Sequence, residues 1–317
     1  MLPECSIFFC MKTLISIVGP TAVGKTHLSI LLATHFQTAI LSSDSRQMYQ
    51  YMNIGTAKPT PEEKQGIPHY FIDSLKPNQS YNAGQFERDA ESLLEKLFKK
   101  HDVVISVGGS TLYIDALWNG IDEMPYIDPV IRVQLNWLFT SEGMEPLLAE
   151  LKSVDPETWQ RIDRKNPARV IRALEVFRGT GTPISAFRKG PRNKERTYNL
   201  IKIGLELERE QLYQRINKRV EHMMAEGLEE EVKMLLDMGY HQKLPAMQSI
   251  GYREFFPYFQ GEYPLEEAVR LIQRNSRRYA KRQFTWFRKD ESIQWFPSGQ
   301  WQQVWDWLSL QLTQNIH

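Results

Sequence analysis

Apolar residues along this chain fall into two alternating rhythms. Leu14–Val18 is a short, nearly continuous apolar run closed by Gly-Pro, which predicts a buried strand. From Thr26 to Phe36, Leu28, Leu31, Leu32 and Phe36 recur at helical spacing. A second strand is expected at 38–43 and a third within 101–110, with the amphipathic helix "GQFERDAESLLEKLFKK" between them. From "EMPYIDP" (123–129) to about Arg188 the pattern is helical, broken at Pro146, Pro156, Pro167 and "GTGTP". "NLIKIGLEL" (199–207) returns to a strand, and two long helical stretches follow, 210–239 and 264–287.

Strands alternating with helices predict an α/β fold with a parallel sheet. The expected architecture is a P-loop NTPase-like parallel sheet core with an inserted, mostly α-helical domain. Its expected boundaries are a loose N-terminal extension at 1–11, a core at 12–124 and 196–317, and a helical insertion at 125–195. The 317 residues contain no apolar run near the 18 or so needed for a membrane helix. Both cysteines, Cys5 and Cys10, lie in the first ten residues, so the folded body holds no disulfide framework or zinc cluster. That segment lacks the basic start of a signal peptide, and a cytoplasmic protein is expected. No exposed apolar seam stands out, so a monomer is expected.

Net charge is +1, so partners must be read from local charge. From Arg270 to Lys289 there are eight basic residues and no acidic one. Arg270, Arg274, Arg277, Arg278, Lys281 and Arg282 share a helical face, with Tyr279, Phe284, Trp286 and Phe287 interleaved. A second basic group, Arg161, Arg164, Lys165, Arg169 and Arg172, sits in the expected insertion. Two separated clusters suit a nucleic acid.

"GPTAVGKT" follows the first strand and opens a helix. Gly19, Pro20, Thr21, Ala22, Val23, Gly24, Lys25 and Thr26 match the P-loop pattern. Backbone N–H groups and the helix N-terminus there suit phosphate oxygens, Lys25 adds a charge, and the Thr26 hydroxyl can hold Mg²⁺. By motif alone the ligand is ATP. Asp44 ends the second strand, suited to a general base, to a partner of Mg²⁺, or to a helix N-cap. "VGGSTLY" ends the third with Ser110 and Thr111, and without the acid of many nucleotide hydrolases. Three function classes stay open on these residues: a transferase acting on a nucleic acid, a small-molecule kinase, and a non-catalytic RNA-binding protein.

In order, "GPTAVGKT", "SSDSRQMY", "IGTAKPT", "VGGSTLYIDAL", "NPARVIRALEV", "LYQRINKRV", "QSIGYREF" and "RRYAKRQFTWFR" resemble the bacterial tRNA dimethylallyltransferase (tRNA isopentenyltransferase) family. The match runs from about Lys12 to Arg288. One departure is Ser110, where the family usually has threonine; Ser110 keeps the hydroxyl, or Thr111 takes its place.

The resemblance implies transfer of a dimethylallyl group from dimethylallyl diphosphate to the N6 amine of an adenosine. That adenosine is the one 3′ to the anticodon in tRNAs reading UNN codons. It implies Asp44 as proton acceptor, Ser110 orienting the base, and Arg219 with the P-loop and Mg²⁺ at Thr26 stabilising the leaving diphosphate. Arg215, four residues before Arg219, shares its helix face and is an alternative. The implied tRNA contacts are Asp44, Ser45, Arg46, Gln47, Ser110, Arg132, Ala168, Arg169, Val170, Ile171 and Arg172. They continue with Gln248, Ser249, Ile250, Gly251, Tyr252 and Arg253. The last group lies on the helix around Asn275 to Gln283, with Arg277, Arg278, Lys281 and Arg282.

Overall fold

Six parallel strands in the order β3-β2-β4-β1-β5-β6 form the sheet that organises the core. The structure, a computed structural model, describes residues 11–122, 124–188 and 195–314; Cys5 and Cys10, with most of the expected N-terminal extension, lie outside the described residues. The strands are β1 (Thr13–Val18), β2 (Ile40–Ser42), β3 (His69–Tyr70), β4 (Val103–Val107), β5 (Asn199–Glu206) and β6 (Gln294–Pro297). β1 is buried along its whole length because it pairs with β4 on one side and β5 on the other. Its continuous apolar run is what a strand covered on both faces requires. The expected parallel sheet is therefore present. The two-residue β3 and four-residue β6 escaped the sequence pattern because neither is long enough to show a period.

Helices fill the connections. Before β5 they are α1 (Lys25–His35), α2 (Pro61–Lys64), α3 (Ala83–Phe98) and α4 (Thr111–Asn119). Then come α5 (Pro129–Glu142), α6 (Glu145–Val154), α7 (Pro156–Arg161), α8 (Pro167–Thr180) and α9 (Ile184–Phe187). After β5 follow α10 (Arg209–Ala225), α11 (Leu228–Asp237), α12 (Phe255–Phe259), α13 (Leu265–Phe287) and α14 (Trp301–Gln314). The prolines that looked like breaks are starts: Pro146, Pro156 and Pro167 occupy first-turn positions, where a missing N–H costs nothing. The stretch 210–239 is two helices because Gly227, at φ 95°, turns the chain between them. Among the described residues no helix is long and apolar enough to cross a membrane.

The chain divides into two compact units, residues 1–118 with 195–317, and residues 119–194. The smaller unit has its own apolar core, built from Leu135, Leu147, Leu151, Val170, Leu174 and their neighbours. In the larger unit the strand order reverses around β1. The loops at the carboxyl ends of β1, β2 and β4 therefore gather at a crevice, which is where parallel α/β sheets hold ligands.

Candidate active site

The loop after β1 is shaped by its glycines. Gly19 has φ 141°, and a Cβ there would lie 2.5 Å from the Leu205 carbonyl oxygen. Gly24, at φ 106°, is the left-handed cap of α1. Lys25 folds back over this loop, its ammonium donating to the Gly19 and Pro20 carbonyls at 2.9 and 2.8 Å. Burial, with the like charge of Arg219, pushes Lys25 down to about 7, and Asp44 partly offsets this. Thr21, Ala22, Gly24, Lys25 and Thr26 line a cavity of about 840 Å³. Gly19, Pro20 and Val23 do not line it: Val23 is in the core and Gly19 abuts β5, so these three shape the loop.

Three side chains from distant segments hold the loop. Gln283 of α13 is buried; its Oε1 accepts the Thr21 N–H at 2.9 Å and its Nε2 donates to the Gly109 carbonyl at 2.8 Å. The expectation that α13 faces tRNA as far as Gln283 is corrected, because this residue lies on the inner face with Ala280 and Phe287. Ser298, after β6, donates to the Val23 carbonyl at 2.6 Å. Arg219 of α10 donates to Thr21 Oγ1 at 3.4 Å, and its guanidinium stays charged. Arg215, the alternative cation, reaches Ser298 at 3.2 Å and lines neither cavity.

A second cavity of about 390 Å³ adjoins this one, and both are lined by Thr21, Asp44, Thr56, Ala57, Arg219 and Met223. Asp44 thus stands between a phosphate loop and a second binding space. One of its oxygens accepts the Arg46 N–H at 2.8 Å, which fixes the carboxylate at the end of β2. Ser110 Oγ accepts the Ser45 N–H at 2.8 Å and donates to Ser45 Oγ at 3.0 Å, locking the β2 and β4 loops together. Thr111 lines the smaller cavity beside it. Tyr279 enters from α13; burial and the nearby Asp44 push its phenol up to about 12, so it remains a neutral donor, 3.3 Å from the Gly109 carbonyl.

Ser45, Arg46, Gln248, Ser249, Ile250, Gly251, Arg253 and Arg282 all line the smaller cavity. Others expected to touch tRNA turn elsewhere. Gln47 donates to the Thr56 and Ala57 carbonyls at 3.3 and 3.0 Å and so supports a loop. Tyr252 is fully buried, its hydroxyl on Glu231 at 2.7 Å. On the outer face of α13, Arg278 and Lys281 are exposed without an ion pair among the described residues. Arg277 leans on Asn217 Oδ1 and the Tyr213 ring, and Arg270 is paired with Glu267.

In the smaller unit Arg132, Ala168 and Arg169 are exposed. Val170 and Ile171 are buried, so their side chains hold α8 in its core rather than meet a ligand. Arg172 pairs with Glu175 at 3.0 Å, Arg161 with Glu157, and Arg164 lies over the Trp159 ring. Sequence reasoning gave no role to Glu231, Met223 or the residues 53–57. A usable signal existed for Glu231, which falls on the buried face of α11 with Leu228, Val232 and Leu235.

Comparison with known proteins adds independent findings. The family model for IPP transferase matches residues 47–290. A tRNA dimethylallyltransferase from Cytophaga hutchinsonii is 50% identical over 292 residues, covering 92% of this chain and 95% of that protein. The crystal structure of a tRNA isopentenylpyrophosphate transferase from Bacillus halodurans aligns with a TM-score of 0.71 at 38% identity, over 96% of this chain and 97% of that one. A eukaryotic dimethylallyltransferase, crystallised while acting on tRNA, aligns with a TM-score of 0.73 at 26% identity, over 90% and 74% of the two chains.

Proposed function

Because the chain belongs to the IPP transferase family, we propose that it transfers a dimethylallyl group from dimethylallyl diphosphate to the N6 amine of adenosine in tRNA. The adenosine is the one 3′ to the anticodon in tRNAs reading UNN codons, and the enzyme works as a cytoplasmic monomer. The observation that carries this reading is the pair of adjoining cavities sharing Asp44 and Arg219, one of them lined by the phosphate loop. A two-substrate transfer needs such an arrangement, with the nucleophile arriving from one side and the leaving group held on the other. Membership of the family favours a prenyl diphosphate over the triphosphate suggested by the motif.

In the proposed reaction the N6 nitrogen forms a bond to C1 of the dimethylallyl group as the C1–O bond to diphosphate breaks. Asp44 accepts the amine proton, a role that requires its carboxylate to face both cavities. Arg219, Lys25 and the loop N–H groups offset the charge gathering on the diphosphate. Among the described residues there is no cluster of three His, Cys, Asp or Glu side chains able to hold a metal. The oxygen donors beside the loop, the Thr26 hydroxyl and the Asp44 carboxylate, fit Mg²⁺, which keeps several waters and leans on substrate phosphates. When bound it supplies countercharge to the diphosphate, with Thr26 as its protein ligand. Ser110 acts by fixing the Ser45 backbone next to Asp44, and the cavity-lining Arg46, Gln248, Arg253 and Arg282 receive the tRNA.

The test is mass spectrometry of tRNA nucleosides after incubation with the protein, dimethylallyl diphosphate and Mg²⁺. Prenylated adenosine is expected from the wild type, and Asp44→Asn should lower turnover by about 10²- to 10⁴-fold while retaining diphosphate binding. Absence of product with a range of unmodified tRNAs would falsify the reading.

A further inference from the structure

Residues 53–57 separate the two cavities: Thr56 and Ala57 line both, Gly55 the smaller, and Asn53 and Ile54 the larger. This wall belongs to no helix or strand; a turn closed by the Ala57 N–H on the Ile54 carbonyl at 2.9 Å, with Gln47 on the Thr56 and Ala57 carbonyls, shapes its far end. Its near end, residues 53–55, is held by one side chain. Glu231 is 7% exposed on the inner face of α11. Its Oε2 accepts the N–H groups of Asn53 and Ile54, both at 2.8 Å, and its Oε1 accepts that of Gly55 at 3.1 Å. Oε1 also accepts the Tyr252 hydroxyl at 2.7 Å. Four donors account for about the four lone-pair positions a carboxylate offers.

We propose that Glu231 is a positioning residue for the transfer, fixing the wall between the two cavities and tying it to the segment 248–253. Three consecutive N–H groups aimed at one carboxylate fix the direction in which the chain enters the turn, and with Gln47 at its other end this sets where Thr56 and Ala57 stand. The packing behind Gly55 leaves no slack, and Gly251 is in van der Waals contact with it. A Cβ on Gly55 would lie 2.5 Å from the Tyr252 ring, and one on Gly251 would lie 3.4 Å from the Gly55 carbonyl oxygen. Tyr252 thereby joins the wall to Gln248–Gly251 and Arg253, which line the smaller cavity. An acceptor docking on that segment feels the same carboxylate that holds the partition. The assignment of this role to the transfer step rests on the function proposed above.

Glu231→Gln keeps the shape but turns an NH₂ group toward N–H donors. The expected result is a folded protein with the KM for tRNA within about twofold of wild type and kcat about tenfold lower or more. Amide hydrogen exchange at 53–55 should also be faster. Glu231→Asp, one methylene shorter, should not restore kcat. Tyr252→Phe leaves three donors in place and should raise the KM for tRNA with a smaller loss of kcat.

A merely structural role lowers the melting temperature and leaves kcat per folded molecule unchanged. Wild-type kcat with both KM values unchanged in Glu231→Gln, or unaltered exchange at 53–55, overturns the proposal. Should that variant not fold, Tyr252→Phe carries the test, and wild-type kinetics with wild-type exchange in both segments overturn it. If the wild-type protein makes no prenylated adenosine, the functional reading fails. Exchange at 53–55 in Glu231→Gln then still decides whether the carboxylate holds the wall.

Discussion

Replacing Gln283 by leucine removes the side chain that joins the phosphate loop to the end of β4. The Thr21 N–H loses its partner and the Gly109 carbonyl keeps only the Tyr279 hydroxyl at 3.3 Å, in a site where Gln283 is 2% exposed. Each unsatisfied buried group costs about 1–3 kcal/mol, and the added apolar burial of leucine returns about 1–2 kcal/mol. The hydroxyl left on the Gly109 carbonyl and water reaching Thr21 from the cavities favour the lower half of that range, so the net loss is about 1–2 kcal/mol. For a unit of this size that is a fall of roughly 2–8 °C in melting temperature.

The functional effect is separate from the stability effect. A loosened Thr21 N–H disturbs the diphosphate cradle, so the KM for dimethylallyl diphosphate should rise about tenfold. The KM for tRNA should change little, since Gln283 faces inward. Gln283→Glu is the informative companion, because it keeps the acceptor for Thr21 and sets an oxygen against the Gly109 carbonyl. Calorimetric melting and steady-state kinetics with each substrate varied provide the assay. A Gln283→Leu protein melting within about 1 °C of wild type, with both KM values unchanged, would refute the reasoning.

Two further predictions follow from charge. Lys25 drops from its ordinary 10.5 to about 7 in the fold. Between those values the unfolded chain holds the extra proton, so this group makes stability rise with pH across that window. An anion in the loop draws the value back up, so binding takes up a proton. Affinity for inorganic diphosphate should then fall above about pH 7, by up to about tenfold per unit. Titration calorimetry of wild type against Lys25→Met measures this, and matching pH profiles would count against it. For the outer face of α13, Arg278→Ala with Lys281→Ala should flatten the dependence of log K for tRNA on log salt by about 1.4–1.8. Filter binding across a salt series reads that slope, and an unchanged slope would remove both residues from the interface.

What the sequence made legible was local or periodic. The phosphate loop announces itself in eight consecutive residues, and Asp44 follows from its place after a strand. Long helices such as α13 show their period plainly. Glu231 hid inside "LEEEV", a run that reads as solvated charge until the helix is phased against Leu228, Val232 and Leu235. Gln283 and Tyr252 sat in basic or family-matching stretches, where neighbouring residues do face outward. A motif conveys its composition more readily than the direction of each member. Val170 and Ile171 teach the same point, since a stretch expected to face RNA, when it lies on a packed helix, must also contain the residues that pack it.

The supports of the phosphate loop carry a consequence for how the protein is made. The loop leaves the ribosome well before its supports: Gln283 and Ser298 follow their partners in it by 262 and 275 residues. The strand whose carbonyl backs Gly19 is also late, at Leu205. A nascent chain therefore displays the motif long before it possesses the site. Competence for diphosphate arrives only after the segment carrying Gln283 and Ser298 has been made.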